Sequence, residues 1–185
     1  MPDLPTLIVA CVLAALLWSV LAYNRFVSQQ TLVQSSWSHI DIELQRRYDL
    51  IPNLVATVQG YADFERGLLE DLVAARSAAM AMAPGSPGMR TAPEEALATL
   101  LHGVLALAEG YPELKASAHF LHLQHQLVTT EDRLSAARRF YNGNVSAYNT
   151  RLRTAPSSII GRAFGFTAVE FFEADEAAAG APRIA

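Results

Sequence analysis

Three histidines stand close together in "HFLHLQH", His119, His122 and His125, and beside them runs a polar line at seven-residue spacing, Gln124, Glu131 and Arg138. Imidazoles on one helix face could ligate a metal, and paired carboxylates such as Asp41 and Glu131 could do acid/base work. The spacing argues against both. His119 and His125 are six residues apart, about 240° around a straight helix, so the three rings cannot converge on one ion. A di-metal bundle needs two Glu-x-x-His pairs, and the chain contains none. It also lacks a Gly-x-Ser-x-Gly elbow and a glycine-rich phosphate loop, and its lone cysteine, Cys11, sits in an apolar run. The sequence therefore predicts no catalytic residue, no metal and no cofactor, and reads the buried carboxylates as partners for arginines. The alternative is an enzyme, or an enzyme's subunit, with a pocket lined by Glu65, Glu131 and Arg138.

Long helices are needed to hold such a polar line. The 185 residues suffice for one domain with a real core, and a 51% hydrophobic composition dominated by Ala and Leu favours helix. A net charge of −4 offers no basic footprint for nucleic acid. Residues 4 to 23, "LPTLIVACVLAALLWSVLAY", carry no charge and match the ~30 Å hydrocarbon core in length. Trp18 and Tyr23 near the end suit the interface. A cleaved signal peptide would want a basic start and a shorter apolar run, and a lipobox at Cys11 would have too little apolar sequence ahead of it. The reading is a retained single-pass anchor in the cell inner (cytoplasmic) membrane. Arg25, the one basic residue close after the span, leans the rest of the chain to the cytoplasmic side.

Beyond the anchor, Phe26, Val33, Trp37, Ile40, Leu44 and Ile51 recur at helical spacing, so the membrane helix continues out of the bilayer. Pro52 is expected to end it, with Asp49 and Asn53 satisfying backbone groups at the corner. A second helix places Leu54, Val58, Tyr61, Leu68, Leu72, Ala75 and Ala79 on one stripe, with Glu65 in its middle. Residues 83 to 93, "APGSPGMRTAP", form the expected loop. A short third helix covers about 94 to 109, with Leu97, Leu100, Leu101, Val104 and Leu107. The fourth runs from about Pro112 to Arg153, with Ala116, Phe120, Leu123, Leu127, Leu134, Ala137, Tyr141, Tyr148 and Leu152 in line. It outruns the third more than twofold, a mismatch that asks either for the loop to span the difference or for a bend near Thr129–Thr130.

If the first and fourth helices lie antiparallel, residues whose numbers add to about 178 face each other. Arg47 then meets Glu131, Asp41 meets Arg138, Trp37 meets Tyr141 and Asn142, and Val33 meets Val145. Such pairs would fix the alignment of two long helices.

Several stretches resemble the LemA family in order and spacing: "WSHIDIELQRRYDLIPNLVATVQGYADFE", "YPELKA", "TTEDRLSAARRFYNGNVSAYNTRL", "PSSIIGRAFGF" and "FFE". The resemblance covers almost everything from Tyr23 to Glu173. It implies a membrane-anchored, antiparallel helical bundle and no defined reaction. Ser158 stands where the family usually has asparagine, and Ala22 where some relatives carry a lipobox cysteine, which favours an anchor over a lipoprotein.

The expected architecture is all-α: an N-terminal transmembrane helix (1–23), an antiparallel up-and-down four-helix bundle (24–173) and a disordered tail (174–185). Asp41, Arg47, Glu65, Glu131, Arg138 and Asn142 are expected to organise its polar interior. Arg46 and Arg139, the outward members of their arginine pairs, and the aromatic group Phe164, Phe166, Phe171 and Phe172 are the expected partner contacts. Those aromatics either cap the membrane-proximal end of the bundle or dock a partner or the bilayer. The expected role is a non-enzymatic interaction or scaffold protein that engages another membrane protein or itself.

Overall fold

A computed structural model describes residues 3–60, 65–82 and 87–172, and among these every regular element is helical. The elements are α1 (Leu4–Gln59), α2 (Arg66–Ala81), α3 (Pro87–Ala108), α4 (Pro112–Lys115), α5 (Ala118–Arg153) and α6 (Ser157–Ala163). Tyr61, residues 83 to 86 and the expected tail at 174–185 lie outside the described residues.

Helix α1 corrects the expectation of a corner at Pro52. It runs unbroken for 56 residues, with Pro52 inside it. A proline in a helix interior has no N–H to give the carbonyl four residues earlier and costs about 3 kcal/mol when nothing compensates. Here that carbonyl belongs to Tyr48, which is buried, so water cannot replace the missing donor. Arg76 of α2 does so instead, its Nε donating to the Tyr48 carbonyl at 2.7 Å. Asp49 accepts from Gln45 one turn back, as an ordinary helix-surface pair rather than a corner group. The bend that the proline threatens is thus absorbed by a side chain of the next helix.

Two further boundaries differ from expectation. The region at 83 to 93 is not all loop: α3 starts at Pro87, where a proline's missing N–H costs nothing, and continues through Pro93. Its 22 residues remove most of the length mismatch between the third and fourth helices. The long last helix is in turn interrupted at Ala116–Ser117, where the Ser117 hydroxyl accepts from the Phe120 backbone N–H and starts α5 afresh. Ala116, expected in the core, is exposed.

The chain divides into two compact units. The first comprises Met1–Trp37 and Phe140–Val169. Its core is aromatic: Phe26 meets Tyr148 edge-on and stacks on Phe166 with centroids 4.9 Å apart, and Trp37 meets Tyr141 at 5.3 Å. Short α6 closes over this core at Gly161, where a β-carbon would stand 2.8 Å from Leu152 and 3.4 Å from the Phe26 ring. The extended strip after α6 is held by Asn149, whose buried amide donates to the Val169 carbonyl at 2.8 Å and accepts from its N–H at 3.0 Å. Residues 4 to 18 of α1 are exposed on all sides, and by length and composition this stretch suits a membrane span.

The second unit comprises Ser38–Arg139 and Glu170–Ala185. Its apolar interior is aliphatic, with Ile40, Leu44, Ile51, Leu54 and Val58 from α1, Leu69 and Leu72 from α2, Leu97, Leu101 and Val104 from α3, and Leu123, Leu127 and Leu134 from α5. On α2 Leu69 is buried beside the expected Leu72 and Ala79, while Leu68 is half-buried against Gly103 of α3. Helices α1 and α3 run in the same direction here, since Asp41 pairs with Arg90 and Arg47 with Glu94. That is the relation between first and third helices in an alternating bundle.

Candidate functional site

The polar heart of the second unit begins with Arg47, the second arginine of "RRYD". Helix α1 turns it inward one turn after Leu44, leaving its side chain 2% exposed. A buried guanidinium must be paired and hydrogen-bonded. Arg47 reaches Glu94 of α3 with Nη2 and Glu131 of α5 with Nη1, the latter at 3.2 Å. Glu94 is itself buried and also accepts from the Tyr48 hydroxyl, while Arg90 lies 3.8 Å from it, one turn earlier on α3. Arg90 donates in turn to Asp41, and Arg138 stands 3.6 Å from Glu131. Three arginines thus face three carboxylates across α1, α3 and α5, with Tyr48 tied in.

Electrostatics follow from this packing. Burial, reinforced by the hydrogen bond to the Glu94 carboxylate and its charge, pushes the Tyr48 hydroxyl up to about 12. Burial works against the charge of Arg90, but hydrogen bonds to Tyr48 and Asp41 outweigh it, and its pKa rises. The Arg47 Nε is buried without a hydrogen-bond partner. Beside it opens a cavity of about 400 Å³ lined by Leu44, Arg47, Glu94, Glu131, Arg138 and Phe172, with Glu95 and His102 at its margin.

The sequence-predicted residues are distributed as follows. Asp41, Arg47, Glu131 and Arg138 belong to the network. Asp41 pairs with Arg90 rather than by the expected register with Arg138, because α3 reaches further back than the loop reading allowed. Glu65 lies outside it: it is exposed immediately before α2, in extended backbone, and does not line the cavity. Asn142 is half-buried in the first unit, next to Tyr141. Arg46 is exposed and pairs with Glu43 on its own helix at 3.2 Å, and Arg139 is exposed. Phe172 is fully buried and so unavailable to a partner, Phe166 is packed on Phe26, and Phe164 and Phe171 remain exposed. Among the described residues no group of His, Cys, Asp and Glu is arranged to hold a metal ion.

Sequence reasoning missed Arg90, Glu94, Tyr48 and Arg76. The signal for the first two was present, since 90, 94, 97, 101 and 104 continue one helical stripe. Reading 83 to 93 as loop removed Arg90 from that stripe and left Glu94 as an unremarked first-turn acid.

The family model described as "LemA family" matches residues 36–185. Magnetosome protein MamQ of Magnetospirillum gryphiswaldense is 23% identical over 178 residues, covering 83% of this chain and 65% of its own length. Magnetosome protein MamQ 2 of Paramagnetospirillum magneticum is 24% identical, covering 89% and 70%. Protein LemA of Metamycoplasma hominis is 25% identical, covering 83% and 69%. The chain thus spans about two thirds of the length of these curated relatives, slightly less for the first of them. The matched region contains the whole buried network from Asp41 to Arg138, and this chain belongs to the LemA family.

Proposed function

We propose that the protein is a single-pass, membrane-anchored helical scaffold without catalytic activity, which engages another membrane protein or a second copy of itself. Residues 1–23 form the anchor in the cell inner membrane, residues 24–173 the helical bundle on the cytoplasmic side, and 174–185 a tail. The observation that carries this reading is the continuity of α1: one uninterrupted helix is apolar and exposed over its first twenty or so residues and packed into a core from Phe26 onward. An uncharged apolar helix left exposed over that length would be driven out of water, and a bilayer is the environment that its length suits. The carboxylates that could do chemistry support a non-catalytic role, since Asp41, Glu94 and Glu131 are each engaged by arginines.

Partner contact is assigned to the outward arginines, Arg46 and Arg139. Arg46 lines a groove of about 390 Å³ with Leu50, His125, Gln126, Thr129, Thr130 and Arg133, a basic and polar surface suited to an acidic segment. A photo-reactive residue at position 46 or 139 is expected to crosslink in native membranes to a discrete product, either a second copy or one other protein. The same group at Glu70, exposed on α2, serves as control. Equal labelling at all three positions would refute the assignment. Protease digestion of intact cells compared with inverted vesicles tests the cytoplasmic placement.

A second reading has one observation in its favour. The cavity beside Arg47 is lined by two guanidinium-bearing residues, Arg47 and Arg138, whose charge suits an anionic ligand. If a small molecule occupies it in an enzyme or enzyme subunit, purified protein should be thermally stabilised by that molecule, and Arg138→Gln should abolish the shift.

A further inference from the structure

The first compact unit carries a marked charge asymmetry. Of the chain's 18 acidic residues only Asp3 falls in it, at the far end of the apolar segment, against four of the 14 basic ones: Arg25, Arg151, Arg153 and Arg162. Arg25, Arg153 and Arg162 are exposed and Arg151 half-buried. Arg25 is close enough to Arg151 to disfavour its charge, adding to the effect of burial. No acidic residue follows Asp3 within this unit to neutralise them.

The place of this charge along α1 is set by direct contacts. Tyr23, the last residue of the apolar run, touches Phe164 with centroids 4.9 Å apart and Phe166 at 5.8 Å. Gly161 of α6 lies against Phe26, three residues further on. Three residues of helix are about 4.5 Å, so α6 and the turn after it sit at the level where a span of this length leaves the hydrocarbon. At that level Ile159 is 65% exposed and Phe164 59%. Gly165, at φ +73°, reverses the chain so that Phe164 faces out while Phe166 returns to Phe26. Apolar residues left exposed beside arginines with no acidic residue of this unit near them in sequence, one turn past a membrane span, match the composition of an interfacial membrane-binding surface.

We propose that α6 and the Phe164 turn lie on the bilayer surface, with Ile159 and Phe164 entering the headgroup layer and Arg25, Arg151, Arg153 and Arg162 binding the phosphates of anionic lipids. This rests on the anchor reading above and deepens it. The anchor fixes only a point and an axis, whereas a second attachment through α6 fixes the rotation of the helix about that axis. It also gives the unit a preference for the leaflet richer in anionic lipid.

The test uses the full chain, with Cys11→Ser, in bilayer nanodiscs of phosphatidylcholine alone or with one part in three of phosphatidylglycerol. Spin labels are placed at Leu13→Cys, Ile159→Cys and, as an aqueous control, Ser146→Cys. The Leu13 label should be lipid-buried in both discs and the Ser146 label water-exposed in both. The Ile159 label should favour oxygen over a water-soluble nickel complex in anionic discs and do so less in neutral ones. Its docked-to-free ratio should fall about fivefold for each of Arg153→Gln and Arg162→Gln. A water-exposed Ile159 label in both discs, with Leu13 inserted, overturns the docking while leaving the anchor intact, and leaves a protein partner to cover the patch. Docking equally strong in both discs overturns the anionic-lipid assignment. A water-exposed Leu13 label overturns the anchor and the docking together.

Discussion

The two compact units solve the same problem, joining α1 to α5, with opposite chemistry. In the first, aromatic rings do the joining: Phe26 on Tyr148 and Phe166, Trp37 on Tyr141, with arginines left on the outside. In the second, Arg47 and Arg90 are buried, and Arg47 ties α1 to both α3 and α5. Ring packing tolerates some sliding, whereas a buried guanidinium forked between two carboxylates does not. The ionic unit is therefore the part that fixes which residue of α1 faces which residue of its neighbours. Arg47 in the second unit is a register pin, whereas Arg25, Arg153 and Arg162 of the first are surface charges.

The largest effect should come from breaking the pin at its centre. Glu94→Ala leaves Arg47 and Arg90 partly uncompensated and the Tyr48 hydroxyl without its acceptor, and should cost about 3–5 kcal/mol. Thermal or denaturant unfolding followed by circular dichroism in detergent measures it. A cost near that of an exposed substitution would mean that the network is ornamental. The charge swap that the simple antiparallel register suggests, Arg47→Glu with Glu131→Arg, should not recover stability. The new glutamate would confront Glu94, a partner that the two-helix picture lacked.

Tyr48 gives the next effect, through pH. Its hydroxyl titrates near 10.0 when exposed and at about 12 in the fold. The folded state therefore holds the proton more tightly, and the stability this represents is complete below pH 10 and lost as pH rises toward 12. Two pH units correspond to about 2–3 kcal/mol. The native protein should weaken by about that much more than Tyr48→Phe does over this range in pH-dependent unfolding. Parallel profiles would remove Tyr48 from the network.

Helix stripes are what the sequence made legible: Phe26, Val33, Ile40, Leu44 and Ile51 are all buried, and the Arg47–Glu131 and Trp37–Tyr141 pairs fall in the anticipated register. The stripes follow from periodicity along a single helix, and the two pairs from the added assumption that the two long helices lie antiparallel. The corner at Pro52 was misread because the rule for proline is local, and the remedy, Arg76, comes from another helix. The same locality hid Arg90, whose glycine- and proline-rich surroundings imitate a loop although Pro87 is a good first helical residue. Placing Arg76 opposite a carbonyl requires the tertiary structure.

That carbonyl offers a smaller and more specific test. Arg76→Met should cost about 1–3 kcal/mol by leaving the Tyr48 carbonyl buried and unsatisfied. In a Pro52→Ala background the alanine restores the backbone N–H, so the Arg76→Met penalty should shrink by most of its value. Equal penalties in the two backgrounds, measured by a double-mutant cycle, would show that Arg76 acts through something other than the missing donor.

The smallest effect is expected where the comparison is most counterintuitive. Arg151 of the first unit is half-buried, yet it is destabilised as a cation by burial and by Arg25. Arg151→Gln in detergent should therefore leave stability unchanged or raise it by a few tenths, about 0.5 kcal/mol at most, and any gain should vanish at high salt as the repulsion from Arg25 is screened. A loss of several kcal/mol would make Arg151 a structural arginine like Arg47 and erase the distinction between the units. If instead the substitution is silent in detergent but weakens attachment to anionic bilayers, the outer arginines serve the membrane surface and the inner ones the fold.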